Sequence, residues 1–252
     1  MRKLHGLIAV ASLLLSSLLA AETLRTAAQD SAPKFIRNPG GASTGISIEI
    51  MQEISRLDPG IRFSGGNDFL PLKRIEKMLE NGEIDVFFGF IRSAEREKQY
   101  VFIDPPLYFV SDVLVARRDD PIDIRHLEEL KALGDKGVVL IAKGVSQGDQ
   151  LKKMDIQIDD GGRSLETNLQ KLVNGRGRFA FQSEIEMKTA IRIGPQAFRD
   201  QLRILPARFN TGGRYIAFSR KVPPATISRV QAALDRLEDN GTLSRIYAKY
   251  AQ

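Results

Sequence analysis

Arg96 stands where an arginine can do binding chemistry. It lies just beyond the apolar run Val86-Phe87-Phe88-Gly89-Phe90, in the segment Ser93-Ala94-Glu95-Arg96. The run reads as a buried strand, preceded by a helix end and a turn at Gly82-Glu83-Ile84-Asp85. Open α/β sheets bind ligands beyond the carboxyl ends of their strands. A guanidinium placed there can hold a carboxylate through two parallel hydrogen bonds. The alternative is an exposed arginine at a helix start, paired with Glu95 or Glu97. Ser146 is a second candidate. In Lys143-Gly144-Val145-Ser146 a strand ends, Gly144 permits a tight turn, and Ser146 opens a helix whose N-terminus favours an anion. Its hydroxyl could equally serve as a plain helix cap.

Other chemistries find little support. Asp159-Asp160 could pair carboxylates for acid–base work, but Gly161-Gly162 follows and the four read better as a solvated turn. His126 stands beside Glu128 and Glu129 and reads as a helix start, since zinc needs several converging ligands. No nucleophile motif, phosphate loop or dinucleotide fingerprint occurs. The sequence therefore predicts no catalytic residue, no metal and no cofactor.

The elements that must position these residues alternate. Leu24–Ala28 reads as a strand, and Gly45–Leu57 as a helix with Ile46, Ile50, Ile54 and Leu57 on one face. Ile46, Ile48 and Ile50 also alternate, which leaves the helix start open. A strand at Ile61–Phe63 and a helix ended by Asn81-Gly82 lead to the buried run. Tyr100–Ile103 and Leu107–Ala116 read as two strands broken by Pro105-Pro106. A second series follows: a helix over His126–Leu133, strands at Val138–Ala142, Ile156–Ile158, Arg178–Gln182 and Leu202–Leu205, with helices at Gln147–Met154, after Ser164, and at Glu184–Ile193. A strand at Tyr215–Ser219 and two helices close the chain. Alternation of this kind builds parallel-rich α/β sheets.

Residues 1–21 read as a secretory signal peptide: Arg2 and Lys3, an apolar run from Leu7 to Leu19, then Ala20-Ala21. The run is too short for a stable membrane span, and no later segment could be one. The formal charge is +6, and +4 without Arg2 and Lys3. Charges are interspersed, so nothing resembles a nucleic-acid stripe. With no cysteine in the chain, an exported protein must rely on its core, and about 230 residues can bury one or two.

Three blocks carry a resemblance to the bacterial periplasmic solute-binding proteins of the polar amino acid type, family 3. They are Gly82–Gly89 with Ser93–Arg96 and Phe102-Ile103-Asp104-Pro105-Pro106-Leu107-Tyr108, then Tyr215–Lys221, then Asn240–Tyr250. The resemblance implies a two-lobed type II periplasmic binding protein fold. Each lobe would be a mostly parallel sheet flanked by helices, and two hinge strands would join them. Lobe 1 would hold residues 22–114 and 212–252, and lobe 2 residues 115–211. The ligand would be a small polar, carboxylate-bearing solute, delivered by a periplasmic monomer to an inner-membrane ABC permease. Arg96 matches the family's carboxylate-gripping arginine, although the interval from Asp85 is one residue shorter than usual. Ser146 matches a second-lobe turn that also reaches the carboxylate. Ile91 stands where the family has a Thr or Ser contact, and Leu72, with Phe69 nearby, where it has an aromatic shelf. Ser183 aligns with the aspartate that pairs with an α-ammonium, and Glu184 could take that role after a one-residue shift. Two other roles share the fold: a dehydratase-like enzyme, with Glu184 as its general acid, and a sensory module for a membrane receptor.

Overall fold

The computed structural model describes residues 21–251, except for the side chain of Ser146. The leader expected over residues 1–21 lies, apart from Ala21, outside the described residues. The chain begins with β1 (Glu22–Arg25), β2 (Ala28–Gln29), α1 (Ile46–Leu57), β3 (Ile61–Ser64), β4 (Phe69–Leu70), α2 (Leu72–Asn81), β5 (Val86–Ile91) and α3 (Ala94–Gln99). The long β6 (Tyr100–Arg117) leads to α4 (Glu128–Ala132), β7 (Val139–Ala142), α5 (Ser146–Lys153), β8 (Ile158–Gly162), α6 (Leu165–Val173) and β9 (Phe179–Ser183). Then come α7 (Glu184–Ile193), α8 (Gln196–Gln201), β10 (Leu202–Ile204), β11 (Phe209–Ser219), α9 (Pro224–Asp239) and α10 (Thr242–Tyr250).

A seven-stranded sheet runs β5-β11-β6-β9-β7-β8, with β10 also on β6. Strand β7 runs parallel to β8 and β9, whereas β6 and β11 run antiparallel to all their partners. The pairs β1–β3 and β2–β4 are parallel.

Apolar residues gather on either side of a crossing. One core includes Ile50 and Ile54 of α1, Val86 to Phe88 of β5, Val110 of β6, Ile216 of β11 and Leu234 of α9. Two others take opposite faces of the same strands. Leu114, Ala116, Val139, Ile141, Phe179 and Phe181 face one way, and Val113, Val115, Leu140 and Ala180 the other. Successive strand side chains point to opposite faces, so both faces of this region are covered. Between Val110 and Val113 on β6, and between Phe209 and Ile216 on β11, the chain passes from one core to the others. The bridging positions are polar or small: Ser111, Asp112, Asn210, Thr211 and Gly212.

Several sequence expectations change here. Pro105-Pro106 do not end the strand. The β6–β11 ladder pairs Ile103 with Ile216 and resumes with Tyr108 opposite Arg214, so the prolines sit in a bulge where no N–H is needed. Asp159-Asp160 are not a turn. They lie on β8, the edge strand of the sheet, where Lys171 (2.8 Å) and Lys152 (2.7 Å) neutralise them. Charged residues on an edge also discourage further pairing. The expected strand at Leu24–Ala28 is two short strands, because Thr26 and Ala27 lie between separate partners.

The open question of where α1 begins is settled by its cap. The carbonyls of Pro33 and Lys34 accept from the N–H groups of Ile46 (3.0 Å) and Ser47 (3.1 Å). This satisfies two of the donors that a helix start leaves free and fixes the loop that carries Lys34. Gly45 makes the approach possible. Its φ is +116°, and a Cβ there would lie 2.7 Å from both carbonyl oxygens. Gly45→Ala should therefore cost at least about 1–3 kcal/mol from backbone conformation alone. A shift of that size in the urea midpoint checks this, and an unchanged midpoint would show that the loop yields freely.

Candidate functional site

A cavity of about 70 Å³ lies at the crossing, room for about five waters. Its wall on the first core comprises the end of β5, Leu72, Tyr108 and three cationic side chains, Lys34, Arg96 and Arg214. The facing wall comprises Val145, Gln147, Gln182, Ser183, Ile185 and Glu186.

Arg96 is held by its surroundings. Ser93 caps α3 by accepting from the Arg96 N–H (3.3 Å), which points the residue back toward β5. The guanidinium donates to the Ile91 carbonyl (2.9 Å) and to Glu76 Oε1 (2.6 Å), and lies 4.7 Å from the Phe90 ring centroid. Two of its five N–H groups are thus used, and three remain for a ligand. Neither Glu95 nor Glu97 is its partner. Glu97 instead accepts from Arg92 (2.6 Å).

Lys34 crosses the floor of the cavity. Its stem passes Gly89, where an added Cβ would come within 2.6 Å of its Cδ, and Gly89 has a φ of +92°. The ammonium donates to Gln29 Oε1 (2.5 Å) and lies 5.5 Å from the Phe87 centroid. Burial pulls it down to about 8; Glu186 opposes that, while Arg214 and Arg96 add to it.

Strand β11 brings Arg214 between Ile91 of β5 and Tyr108 of β6. Among the described residues its guanidinium makes no hydrogen bond and no ion pair. It is close enough to influence the titration of Lys34, Tyr108 and Asp112. Behind Arg214 the aromatic wall is backed by the C-terminal helix, where Tyr247 stacks on Tyr108 with centroids 5.3 Å apart.

The opposite wall is organised by hydrogen bonds. Ser183 precedes α7 and donates to Glu186 Oε2 (2.7 Å). Ser31, from the first core's loop, donates to the other Glu186 oxygen, so this carboxylate ties the two walls together. Gln147 donates to Asp112 Oδ1 (3.0 Å) and Gln182 Oε1 (3.1 Å), and Asn210 to Asp112 Oδ2 (3.0 Å). Burial pushes the Asp112 carboxyl above its usual range, against the hydrogen bonds from Asn210 and Gln147.

Four of the seven sequence candidates meet in the cavity: Arg96, Ile91, Leu72 and Ser183. Phe69 lies under the Arg37 guanidinium, 4.0 Å from it, and does not line the cavity. Glu184 is turned away. It pairs with Arg208 (2.7 Å and 2.8 Å) and with Lys188 (3.1 Å). Burial pushes its carboxyl up, but Arg208 and Lys188 outweigh burial and hold it below the usual range. The carboxylate at this wall is Glu186 instead, because the third residue of a helix reaches back over the cap. Ser146 opens α5, and its hydroxyl lies outside the described residues. The sequence reading missed Lys34, Glu186 and Arg214. Arg214 stands immediately before the block beginning at Tyr215, so extending that strand by one turn of its alternation would have found it.

Lys34 gives a pH prediction. Its folded-state value lies below that of the unfolded chain, so between about pH 8 and about pH 10.5 the unfolded chain binds the extra proton. Stability therefore rises with pH across that window. Near neutral pH the buried ammonium, facing Arg96 and Arg214 as well as Glu186, is a cost. Lys34→Met should stabilise the ligand-free protein by on the order of 1–3 kcal/mol at about pH 7, and that advantage should shrink by about pH 10. Urea unfolding of both proteins at the two pH values checks this; a pH-independent difference would contradict it.

The comparisons with known proteins agree on the fold. An ancestral arginine-binding protein, solved bound to glutamine, superposes with a TM-score of 0.72 at 22% identity, covering 90% of this chain and 97% of that one. A putative ABC-transporter binding component from Wolinella succinogenes, solved with lysine, gives 0.74 at 15%, covering 90% and 95%. An ancestral amino acid-binding protein, described as a precursor of cyclohexadienyl dehydratase, gives 0.73 at 18%, covering 91% and 96%. A comparison with curated protein sequences finds no match. Sequence comparison with protein families matches residues 24–252, nearly the whole described chain, and on that match the protein belongs to the bacterial extracellular solute-binding proteins, family 3.

Proposed function

We propose that this protein captures a small, polar, carboxylate-bearing solute, an amino acid or a close relative, in the cavity between two lobes. The observation that carries the reading is the pair of opposed charges across the cavity. Arg96, buttressed by Glu76 and Phe90, offers free donors from one wall, and Glu186 offers a carboxylate from the other. An α-carboxylate and an α-ammonium fit those two poles, and an unpaired charge would be costly in so enclosed a space. Family membership supports export to the periplasm behind a cleaved leader. The transporter proteins among the structural neighbours support delivery to an inner-membrane ABC permease. The change of core near residues 111–112 and 210–213 supports lobes of 22–114 with 212–252, and 115–211, hinged where β6 and β11 cross. A dehydratase-like role is less well supported. A general acid needs a raised carboxyl, and Glu184, the residue first considered, is held low by Arg208 and Lys188 despite its burial.

Arg96→Ala tests this reading. A thermal-shift screen of free amino acids and small carboxylates identifies a ligand, and calorimetry measures both proteins with it. The substitution should cost about 2–5 kcal/mol of binding, as for truncating a hydrogen-bonded charge pair. It also takes from Glu76 its closer partner, leaving only the exposed Lys73 at 3.3 Å, so the ligand-free melting temperature should fall. Adding Glu76→Gln should restore the melt without restoring binding. Full affinity in Arg96→Ala would place the ligand elsewhere.

A further inference from the structure

Arg214 is not accounted for by a neutral amino acid. In the reading above, Arg96 takes the α-carboxylate and Glu186 the ammonium. Arg214 then remains in the cavity with five donors and, among the described residues, no acceptor. Lys34 lies beside it, with one hydrogen bond to an amide oxygen that carries no charge. Both act from the first wall, and the charge of Arg214 disfavours that of Lys34. The carboxylates nearby are engaged. Asp112 accepts from Gln147 and Asn210, and Glu76 accepts from Arg96 (2.6 Å) and lies 3.3 Å from Lys73. Arg214 is only partly buried, but a guanidinium facing a cavity with two other cations and no anionic partner is unfavourable, and it is held there by its strand: its backbone pairs with both Ile91 and Tyr108. The position is therefore imposed by the sheet, and it leaves the fork open to an acceptor brought by the ligand.

We infer that the ligand carries a second acidic group, making it an amino acid with an acidic side chain, and that Arg214 with Lys34 forms the subsite for that group. This rests on the amino-acid reading of the cavity. The charge agrees, because a wall of three cations would repel a basic side chain and attract an acidic one. Arg214 supplies the fork that fixes orientation, and Lys34 adds charge without a fixed direction.

The test compares two near-isosteric pairs: L-aspartate with L-asparagine, and L-glutamate with L-glutamine. Within a pair the molecules differ by one charge and scarcely in size. Calorimetry with the mature wild-type chain should find at least one acid bound at least about thirtyfold more tightly than its amide. Arg214→Gln should bring that ratio close to one, with a ligand-free melt no lower than that of wild type, because the side chain makes no protein hydrogen bond and an unpaired cation is removed. Arg214→Lys should leave a reduced but real preference, and it serves as the test if the glutamine variant does not fold. Amides that bind as tightly as the acids would overturn the inference while leaving the amino-acid reading intact. Binding of none of the four would overturn both. An undiminished acid preference in Arg214→Gln and Arg214→Lys would show that the second acidic group is held elsewhere.

Discussion

Two antiparallel strands, β6 and β11, pass side by side out of one hydrophobic core and into the other two. The rest of the molecule is arranged around that crossing. All three cores need the same strands, but none extends across residues 111–112 or 210–213. The polar residues at the crossing are fixed to one another: Ser111 to Thr211 at 2.7 Å, and Asp112 to Asn210 at 3.0 Å. The ladder also sets which side chains look into the cavity. Tyr108 and Val110 share a face of β6, and Arg214 sits opposite Tyr108 on β11. The strands that join the cores thus present side chains to the cavity as a direct result of their alternation.

Charge is distributed unequally across the cavity. The first wall holds Lys34, Arg96 and Arg214, and the second a single lining carboxylate, Glu186. The stability lost by keeping three cations together is offset locally for Arg96, through Glu76 and the Phe90 ring, and is left standing for the other two. Sites that bind charged ligands often carry such a residual cost, since the group that relieves it is the ligand. Lys34 is the clearest case, with burial outweighing the attraction of Glu186.

The sequence made the scaffold legible where one residue pattern had one meaning. The continuous apolar run ending at Phe90 was a buried strand, Ser164 capped α6, and Arg96 lay beyond a strand end. It failed where the meaning depended on a distant partner. Pro105-Pro106 looked like a break because sequence alone does not show that residues 104–107 bulge out of β6 opposite Tyr215 alone of β11. Asp159-Asp160 looked like a turn because Lys152 and Lys171 are brought to them by separate helices. Glu184 and Glu186 are the same chemical choice two residues apart. The first points along α7 to Arg208, the second back over Ser183, and helix geometry rather than composition separates them. Arg214 was missed for a related reason: strand alternation assigns a residue to a face, but the cavity exists only once that face meets the other wall.

Glu186 links the two walls and still keeps acceptor capacity. A carboxylate offers about four acceptor positions. Ser183 takes one from its own wall and Ser31 another from across the cavity, so the contact between the walls leaves acceptor capacity unused. An ammonium arriving from the ligand need not displace either hydroxyl. It would add to a carboxylate already oriented by two donors, and it would replace the long-range attraction of Lys34 by a direct hydrogen bond. Both walls draw on the geometry set by the loop at Pro33-Lys34 and the cap it makes on α1, since that loop carries both Lys34 and the Glu186 donor Ser31.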